Sequence, residues 1–284
     1  MIKTCPVCDS GAKYLFEKNA YRIFKCRACG LGFISPRPTV GEIEAFYDTG
    51  NYYCHAENRG YTDYSGLEKA LKKMYRHFIR DTGLWGRFDL KNKRILDVGC
   101  AFGFFLDVAR ESGASELWGT DITSASEKII LGKEYNFTLG AFEVIELPEN
   151  HFDLVFMGDV FEHLLDPFAA IRKLARILKP GGIVLITTVN FDSIFARATG
   201  KKWRLLVPPE HIYYWTKESL HTLFSNNSFE GACRSYTVFL TKTYFIERFK
   251  MQFGFHLPLY KLFPLQFIPV PSFDTMKCMF RKKQ

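Results

Sequence analysis

The sequence predicts an α/β fold, a parallel β-sheet covered on both faces by helices, with a small further unit at the N-terminus. Three observations carry this. Residues 94–121, RILDVGCAFGFFLDVARESGASELWGTD, read as strand, tight turn, helix, strand and closing acid. Short apolar runs recur at 152–157 and 183–188 with a helical pattern between them at 167–178. Runs of that kind between helices mark strands buried on both faces. Ahead of these, two Cys-x-x-Cys pairs, Cys5/Cys8 and Cys26/Cys29, are separated by seventeen residues.

That cysteine spacing is the one expected of a four-thiolate zinc site, with rubredoxin-like iron or a redox thiol pair as alternatives. Gly11 and Gly30 follow the two pairs and let backbone N–H groups turn toward the sulfurs. Residues 14–16 and 21–25 read as hairpin strands. A segment of about forty residues buries little core, so a bound metal would supply folding energy. Four thiolates close the coordination shell and make the site structural rather than catalytic. Residues 32–39 carry two prolines and run stiff and extended. Thr39 caps a short helix over 41–47, residues 51–60 read as a loop or lid, and 64–82 as a helix. The apolar stripe of that helix is Leu67, Leu71, Met74, Tyr75, Phe78 and Ile79. The expected organisation is a zinc ribbon over 1–38, a helical linker or lid over 39–90, and the main domain over 91–284 with inserted segments around 190–214 and 244–271.

Within the main domain, Ile95, Leu96 and Val98 form the first strand. Gly99-Cys100-Ala101-Phe102-Gly103 keeps most side chains small where the chain turns and approaches a ligand. Asp121, about twenty residues on, stands at the end of the second strand, where a carboxylate accepts hydrogen bonds from both ribose hydroxyls of a nucleotide. The spacing Gly99-x-Ala101-x-Gly103 after Asp97 differs from the G-x-G-x-x-G of dinucleotide sites. A helix over 124–132 and strands over 136–139 and 152–157 follow. Then come Gly158-Asp159-Val160-Phe161-Glu162-His163-Leu164-Leu165-Asp166-Pro167 and LKPGGIVLITTVN.

Taken together, these stretches resemble the class I S-adenosylmethionine-dependent methyltransferases. Asp97 to Gly103 is similar to their D/E-x-G-x-G-x-G motif. FDLV and EHL-x-DP are similar to the small-molecule enzymes of ubiquinone, polysaccharide and natural-product pathways. The resemblance implies a seven-stranded Rossmann-like methyltransferase sheet and S-adenosylmethionine as cofactor. It implies a cofactor site at Asp97, Gly99, Cys100, Ala101, Gly103, Asp121, Ile122, Phe142, Glu143 and Asp159. In it Phe142 packs on the adenine or is plain core, and Glu143 or its neighbours face the exocyclic amine. Ala101 replaces the usual middle glycine, which requires a negative φ there. Base N-methyltransferases carry D/N-P-P-Y/F where this chain has Gly158-Asp159-Val160-Phe161, which argues against base N-methylation.

Two histidines are candidate catalytic groups. His163 is either a base near the methyl or a brace for its loop. His211, in the aromatic stretch 208–216, either takes the proton of an attacking hydroxyl or is structural. Thr216 reads as an N-cap, but with Ser219 rather than Glu or Gln at the third position the capping box is incomplete. Its helix runs over 217–226. Residues 232–240 and 273–280 read as the last two strands, an antiparallel pair. The aromatic, proline-rich 244–271 is a helical cap, a dimer surface or an acceptor wall.

The chain has 38 Lys and Arg against 30 Asp and Glu, and 28 Phe. Its excess charge reads as a wet helix face and a basic tail. No apolar run spans a bilayer and the N-terminus lacks a signal-peptide core, so a cytoplasmic enzyme is expected. Cys54, Cys100, Cys233 and Cys278 then read as reduced thiols. The expected activity is methylation of a small or carrier-linked metabolite, a sugar or natural-product intermediate, with O-methylation favoured over C-methylation. The alternatives are an RNA methyltransferase using the ribbon and basic surface, and a non-catalytic zinc-ribbon binding protein on this fold. Nucleic acid is the less favoured partner, and the oligomeric state is open.

Overall fold

The computed structural model describes residues 2–47, 65–80, 89–235, 237–241, 267–271 and 274–284. The expected lid at 51–60, Cys54 and most of 244–271 lie outside these residues.

The N-terminal unit is a ribbon of β1 (Ile2–Thr4), β2 (Gly11–Lys18), β3 (Tyr21–Cys26) and β4 (Gly32–Ser35). Its strands pair antiparallel in that order. Helix α1 (Val40–Tyr47) leaves it, and α2 (Glu68–Arg80) precedes the main sheet. Thr39 and Glu42 cap α1 reciprocally: the Glu42 carboxylate accepts from the Thr39 N–H, and Thr39 Oγ1 accepts from the Glu42 N–H.

The main sheet follows as β5 (Arg94–Val98), α3 (Phe104–Glu111), β6 (Glu116–Asp121), α4 (Ser124–Ile130), β7 (Asn136–Leu139), β8 (Phe152–Gly158), α5 (Pro167–Ile177) and β9 (Leu178–Val189). Then come α6 (Ile194–Thr199), β10 (Tyr213–Tyr214), α7 (Lys217–Ser225), β11 (Phe229–Arg234), β12 (Thr237–Thr241), β13 (Phe267–Pro271) and β14 (Thr275–Lys282). The spatial order is β11-β14-β9-β8-β5-β6-β7. Strands β5 to β9 pair parallel, while β14 runs antiparallel to β9 and β11 to β14. This is the expected seven-stranded Rossmann-like sheet. Phe105 of α3 stacks on Phe156 of β8 at 4.0 Å on one face. On α7, Phe224 stacks on Phe280 of β14 at 3.9 Å. Each such fully buried ring contributes about 1.5–3 kcal/mol.

Several local expectations change. Lys179-Pro180-Gly181-Gly182, between the helical pattern at 167–178 and the run at 183–188, belongs to the strand rather than to a separate turn. The strand begins at Leu178, and the extra residues are absorbed between the pairs Phe152↔Leu178 and Leu154↔Ile183. The capping box at α7 is complete, because the Ser219 hydroxyl accepts from the Thr216 N–H as a Glu would, while Thr216 Oγ1 accepts from the Ser219 N–H. The last sheet pair is Phe229–Arg234 with Thr275–Lys282, and Thr237–Thr241 pairs instead with Phe267–Pro271 in a separate two-stranded sheet. Cys233 and Cys278 are not free thiols. They are register neighbours on β11 and β14, joined by a disulfide.

The largest change concerns the ribbon. Its fifth strand is β10, which comes from far downstream and pairs with β4 at Tyr213↔Phe33 and Tyr214↔Gly32. Strand β4 is buried along its whole length, and a buried edge needs a partner for its N–H and C=O groups. One apolar core accordingly runs from Ile23, Phe24 and Phe33 of the ribbon into Trp203, Tyr213 and Trp215.

Candidate active site

A cleft opens at the carboxyl ends of β5, β6 and β8. There the strand order reverses, with β6 and β7 to one side of β5 and β8 and β9 to the other. Open α/β sheets bind ligands at such a switch point.

The floor is the turn after β5. The N–H groups of Gly99 and Cys100 both donate to the Thr120 carbonyl, at 2.7 and 3.0 Å, and Gly103 N–H donates to Cys100 O at 2.8 Å. Gly99, Ala101 and Gly103 all have positive φ, of 68°, 46° and 72°. The negative φ expected for Ala101 is therefore corrected. Its N–H must swing to the Asp121 Oδ2, 2.9 Å away, and this turn reaches it only through the left-handed region. That conformation costs an L-residue about 1–2 kcal/mol. Glycine would remove that cost but add about 0.4–1 kcal/mol of unfolded-state entropy. Ala101→Gly is thus expected to raise stability by roughly 0.5–1 kcal/mol, seen as a higher urea midpoint at unchanged slope. At Gly99, a Cβ would lie 2.4 Å from Val160 Cγ2, so the segment after β8 packs directly on the turn.

Asp121 organises the opposite wall. Its Oδ1 accepts from Thr123 N–H at 2.9 Å and Thr123 Oγ1 at 2.7 Å, while Oδ2 takes the Ala101 N–H. Seven of the ten residues expected around the cofactor line the cleft: Gly99, Ala101, Asp121, Ile122, Phe142, Glu143 and Asp159. Asp97, Cys100 and Gly103 do not. Asp97 is buried within β5, its carboxyl pushed well above the usual range by burial first and then by the Asp121 charge. Burial first, then Asp97 and Asp121, push the Cys100 thiol up. Gly103 begins α3, where a Cβ would lie 2.6 Å from Ile130 Cδ1. Glu143 Oε1 accepts from Leu165 N–H at 3.1 Å and Asp166 N–H at 3.3 Å, and so ties the loop after β8 across the cleft.

The remaining wall holds the histidines. His163 is partly exposed and lines the cleft beside Ile43, Tyr47, Val160, Leu164 and Leu165. Its Nδ1 lies 2.9 Å from the Glu210 carbonyl and 3.0 Å from the Tyr47 hydroxyl. A carbonyl only accepts, so Nδ1 carries a hydrogen toward Glu210. Burial lowers the His163 pKa, against the opposing pull of Glu210 and Asp159. His211 is buried and does not reach the cleft. Its Nδ1 is 2.8 Å from the Leu205 carbonyl, and its ring meets His163 edge-on at 4.7 Å. Burial first, then His163, hold it well below the ordinary histidine range. Glu162 is buried beside them, its Oε2 accepting from Thr188 Oγ1 at 2.7 Å. Burial first, then Asp159, pushes it up to about 8. Glu162, His163 and His211 each bring one donor atom within 4.8 Å of the others.

This cluster sets the sign of a pH dependence. Glu162 is raised from an ordinary 4.5 to about 8 on folding, so between those values the folded chain holds a proton that the unfolded chain has lost. Stability then falls as pH rises, by up to about 1.4 kcal/mol per pH unit. The histidines have lowered folded pKa values and act oppositely, costing stability only as pH falls below about 6.5. Urea midpoints are therefore expected to drop from pH 6.5 to 8, and Glu162→Gln to flatten that drop.

In the ribbon, Cys5 and Cys29 Sγ are 3.7 Å apart, Cys8 and Cys26 Sγ 3.5 Å, and all four lie within 4.8 Å of one another. Tetrahedral zinc with metal–sulfur bonds of about 2.3 Å has sulfur–sulfur edges of about 3.8 Å. Val7 N–H points at Cys5 Sγ and Ala28 N–H at Cys26 Sγ, at 3.4 and 3.3 Å. The donor set fits zinc.

Sequence reasoning did not find Tyr47, Ile43 and Thr123. Thr123 had a signal in the Asp-x-Thr turn that it closes on Asp121. The other two reach the cleft only through tertiary packing.

The sheet order, the switch-point cleft and the acid at the end of β6 are the architecture of the class I methyltransferase fold. Residues 68–233, more than half of the chain, match the family model described as a methyltransferase domain, and the chain belongs to that family. Among curated relatives, it is 34% identical over 140 residues to a ubiquinone biosynthesis O-methyltransferase of Maricaulis maris, covering 44% of this chain and 55% of the relative. It is 30% identical over 140 residues to the enzyme of the same name in Idiomarina loihiensis, covering 46% and 54%. The chain thus spans about half the length of these relatives. The fold is shared with the [4+2]-cyclase SpnF (TM-score 0.55, 20% identity, 87% of this chain and 97% of that one). It is shared as well with the YcgJ protein of Bacillus subtilis (TM-score 0.52, 17% identity, 75% and 99%). No helix among the described residues is long and apolar enough to cross a membrane.

Proposed function

We propose that this enzyme moves the methyl of S-adenosylmethionine to a hydroxyl of a small or carrier-linked metabolite, such as a sugar or natural-product intermediate. The observation that carries the O-assignment is His163. A partly exposed imidazole lines an otherwise apolar wall of the cleft, with Nδ1 committed to a carbonyl and its charged form disfavoured by burial. A hydroxyl nucleophile must shed a proton as it attacks, and a neutral imidazole in the cleft can take it.

The cofactor's sulfonium supplies an activated methyl, so the protein's work is alignment and removal of one proton. Asp121, at the end of β6 and lining the cleft, accepts from the ribose hydroxyls. Gly99 and Ala101 leave room for the methionine portion, and Ile122 and Phe142 flank the adenine. Asp97, Cys100 and Gly103 act beneath these, by shaping the turn. Val160, Leu164, Leu165, Ile43 and Tyr47 receive the acceptor's apolar body. Cys5, Cys8, Cys26 and Cys29 hold a structural zinc. The curated relatives' names also specify O-methyl transfer.

The test is transfer of label from methyl-labelled S-adenosylmethionine to a panel of hydroxylated sugars, phenols and cell extracts. Label in a base-stable methyl ether is the expected result. Label on carbon or nitrogen would overturn the O-assignment, and label in RNA the small-molecule assignment.

A further inference from the structure

We infer that the metal-bound ribbon is a built part of the acceptor wall, so that metal occupancy at the four cysteines sets the position of His163 and Tyr47 while leaving cofactor binding alone. The inference rests on the acceptor-side reading of the cleft given above.

A chain of bonds joins the two places. On the metal side, Thr216 Oγ1 donates to the carbonyl of Cys29 at 2.7 Å, a bond to the second cysteine knuckle itself. Strand β10 lies on β4 just before it, and Ile34 N–H donates to Ile212 O at 3.1 Å. The same segment holds the histidine loop on its other side. Ile212 and Tyr213 N–H both donate to Glu162 O, at 2.9 and 3.1 Å. Trp215 Nε1 donates to Phe161 O at 3.1 Å, and Glu210 O takes the His163 Nδ1–H. Residues 210–216 are thus clamped between the ribbon and the loop that presents His163. A second connection leaves the ribbon through α1, which brings Ile43 and Tyr47 to the cleft and the Tyr47 hydroxyl to His163.

The cofactor side is fastened differently. The bonds that shape Gly99 to Gly103 and Asp121 run to Thr120, Cys100, Asp107, Thr123, Lys133 and Gly140, on β5 to β7 and the helices and turns between them. A ribbon this small folds on its metal. Loss of the metal therefore frees β4, and with it the clamp on residues 210–216, without touching the bonds around Asp121.

The experiment uses the full chain as purified, with metal content measured. Metal is stripped with a mercurial and chelator, followed by hydrogen-exchange mass spectrometry and calorimetry with S-adenosylmethionine. Exchange is expected to rise about tenfold or more in 161–165 and 210–216 as well as in the ribbon. It is expected to stay unchanged in 94–104 and 116–123, with cofactor affinity within about threefold. A rise confined to the ribbon, or cofactor binding lost along with the metal, would overturn the inference, as would a chain that purifies without metal.

A second variant keeps every cysteine. At Gly32 a Cβ would lie 2.5 Å from the Phe191 ring and 2.9 Å from Tyr214 Cβ, so Gly32→Ala wedges β4 away from β10. It should keep its metal yet show the same rise in 161–165 and 210–216; unchanged exchange there would sink the coupling. Failure of the untouched protein to bind S-adenosylmethionine would instead count against the cofactor site, and the exchange readout does not depend on it.

Discussion

Replacing Asp121 by Ala is expected to weaken S-adenosylmethionine binding by about 100- to 1000-fold. Two ribose hydroxyls donating to one buried carboxylate are charge-assisted bonds, each worth about 1.5–3 kcal/mol. Losing both removes roughly 3–4 kcal/mol, and each 1.4 kcal/mol is tenfold in affinity. The side chain also serves the protein, through Ala101 N–H, Thr123 N–H and Thr123 Oγ1. Its removal leaves Ala101 in a left-handed conformation with nothing to hold it there. Asp121→Asn keeps one carbonyl oxygen for these donors and lacks the charge, so it should fall between wild type and Ala. Calorimetry on all three proteins, with thermal unfolding as a control for folding, measures the effect. Wild-type affinity in the Ala variant would mean that no ribose sits at Asp121.

Much of this site is legible in the sequence because its elements are local. The runs Ile95 to Val98 and Phe152 to Met157 have the composition of strands buried on both faces, and an acid at the end of β6 has one standard use in such a fold. What escapes is set by partners distant in sequence. Tyr213 and Tyr214 are read as an aromatic loop because their strand partner, Gly32–Phe33, lies some 180 residues earlier and nothing in the local pattern announces it. Tyr47 reaches the cleft by the same route. The disulfide between Cys233 and Cys278 depends on strand register, which two scattered cysteines do not reveal. The φ of Ala101 is invisible because alanine adopts either sign when a neighbour such as Asp121 holds its N–H. At Ser219, reading residue type instead of geometry hides a working cap, since a hydroxyl can replace a carboxylate over so short a distance. The histidines are the subtlest case. Both sit in plausible motifs, and only packing puts His163 in the cleft and His211 behind it.

His163→Gln then separates the two roles that sequence leaves open for this residue. Once an acceptor has been identified by label transfer, the variant is expected to lower kcat by about 10²–10⁴, the usual contribution of a general base. Cofactor affinity should stay within about threefold of wild type, since His163 lies on the wall opposite Asp121. Glutamine suits the test because its amide can still donate to the Glu210 carbonyl, so the brace survives while the proton acceptor is lost. A purely bracing histidine would therefore be replaced with little change in rate. The pH profile gives a second readout. Burial lowers the His163 pKa below the ordinary 6.5, so the wild-type rate should fall only as pH drops below that value, and the variant should lose this acid limb. His211→Gln is the comparison. Its imidazole is buried behind His163 on the Leu205 carbonyl, so that variant should lose stability and keep the acid limb. If His211→Gln abolished the limb and His163→Gln did not, the proton would have to leave through His211, and the wall that receives the acceptor would have to lie on its side of the histidine pair.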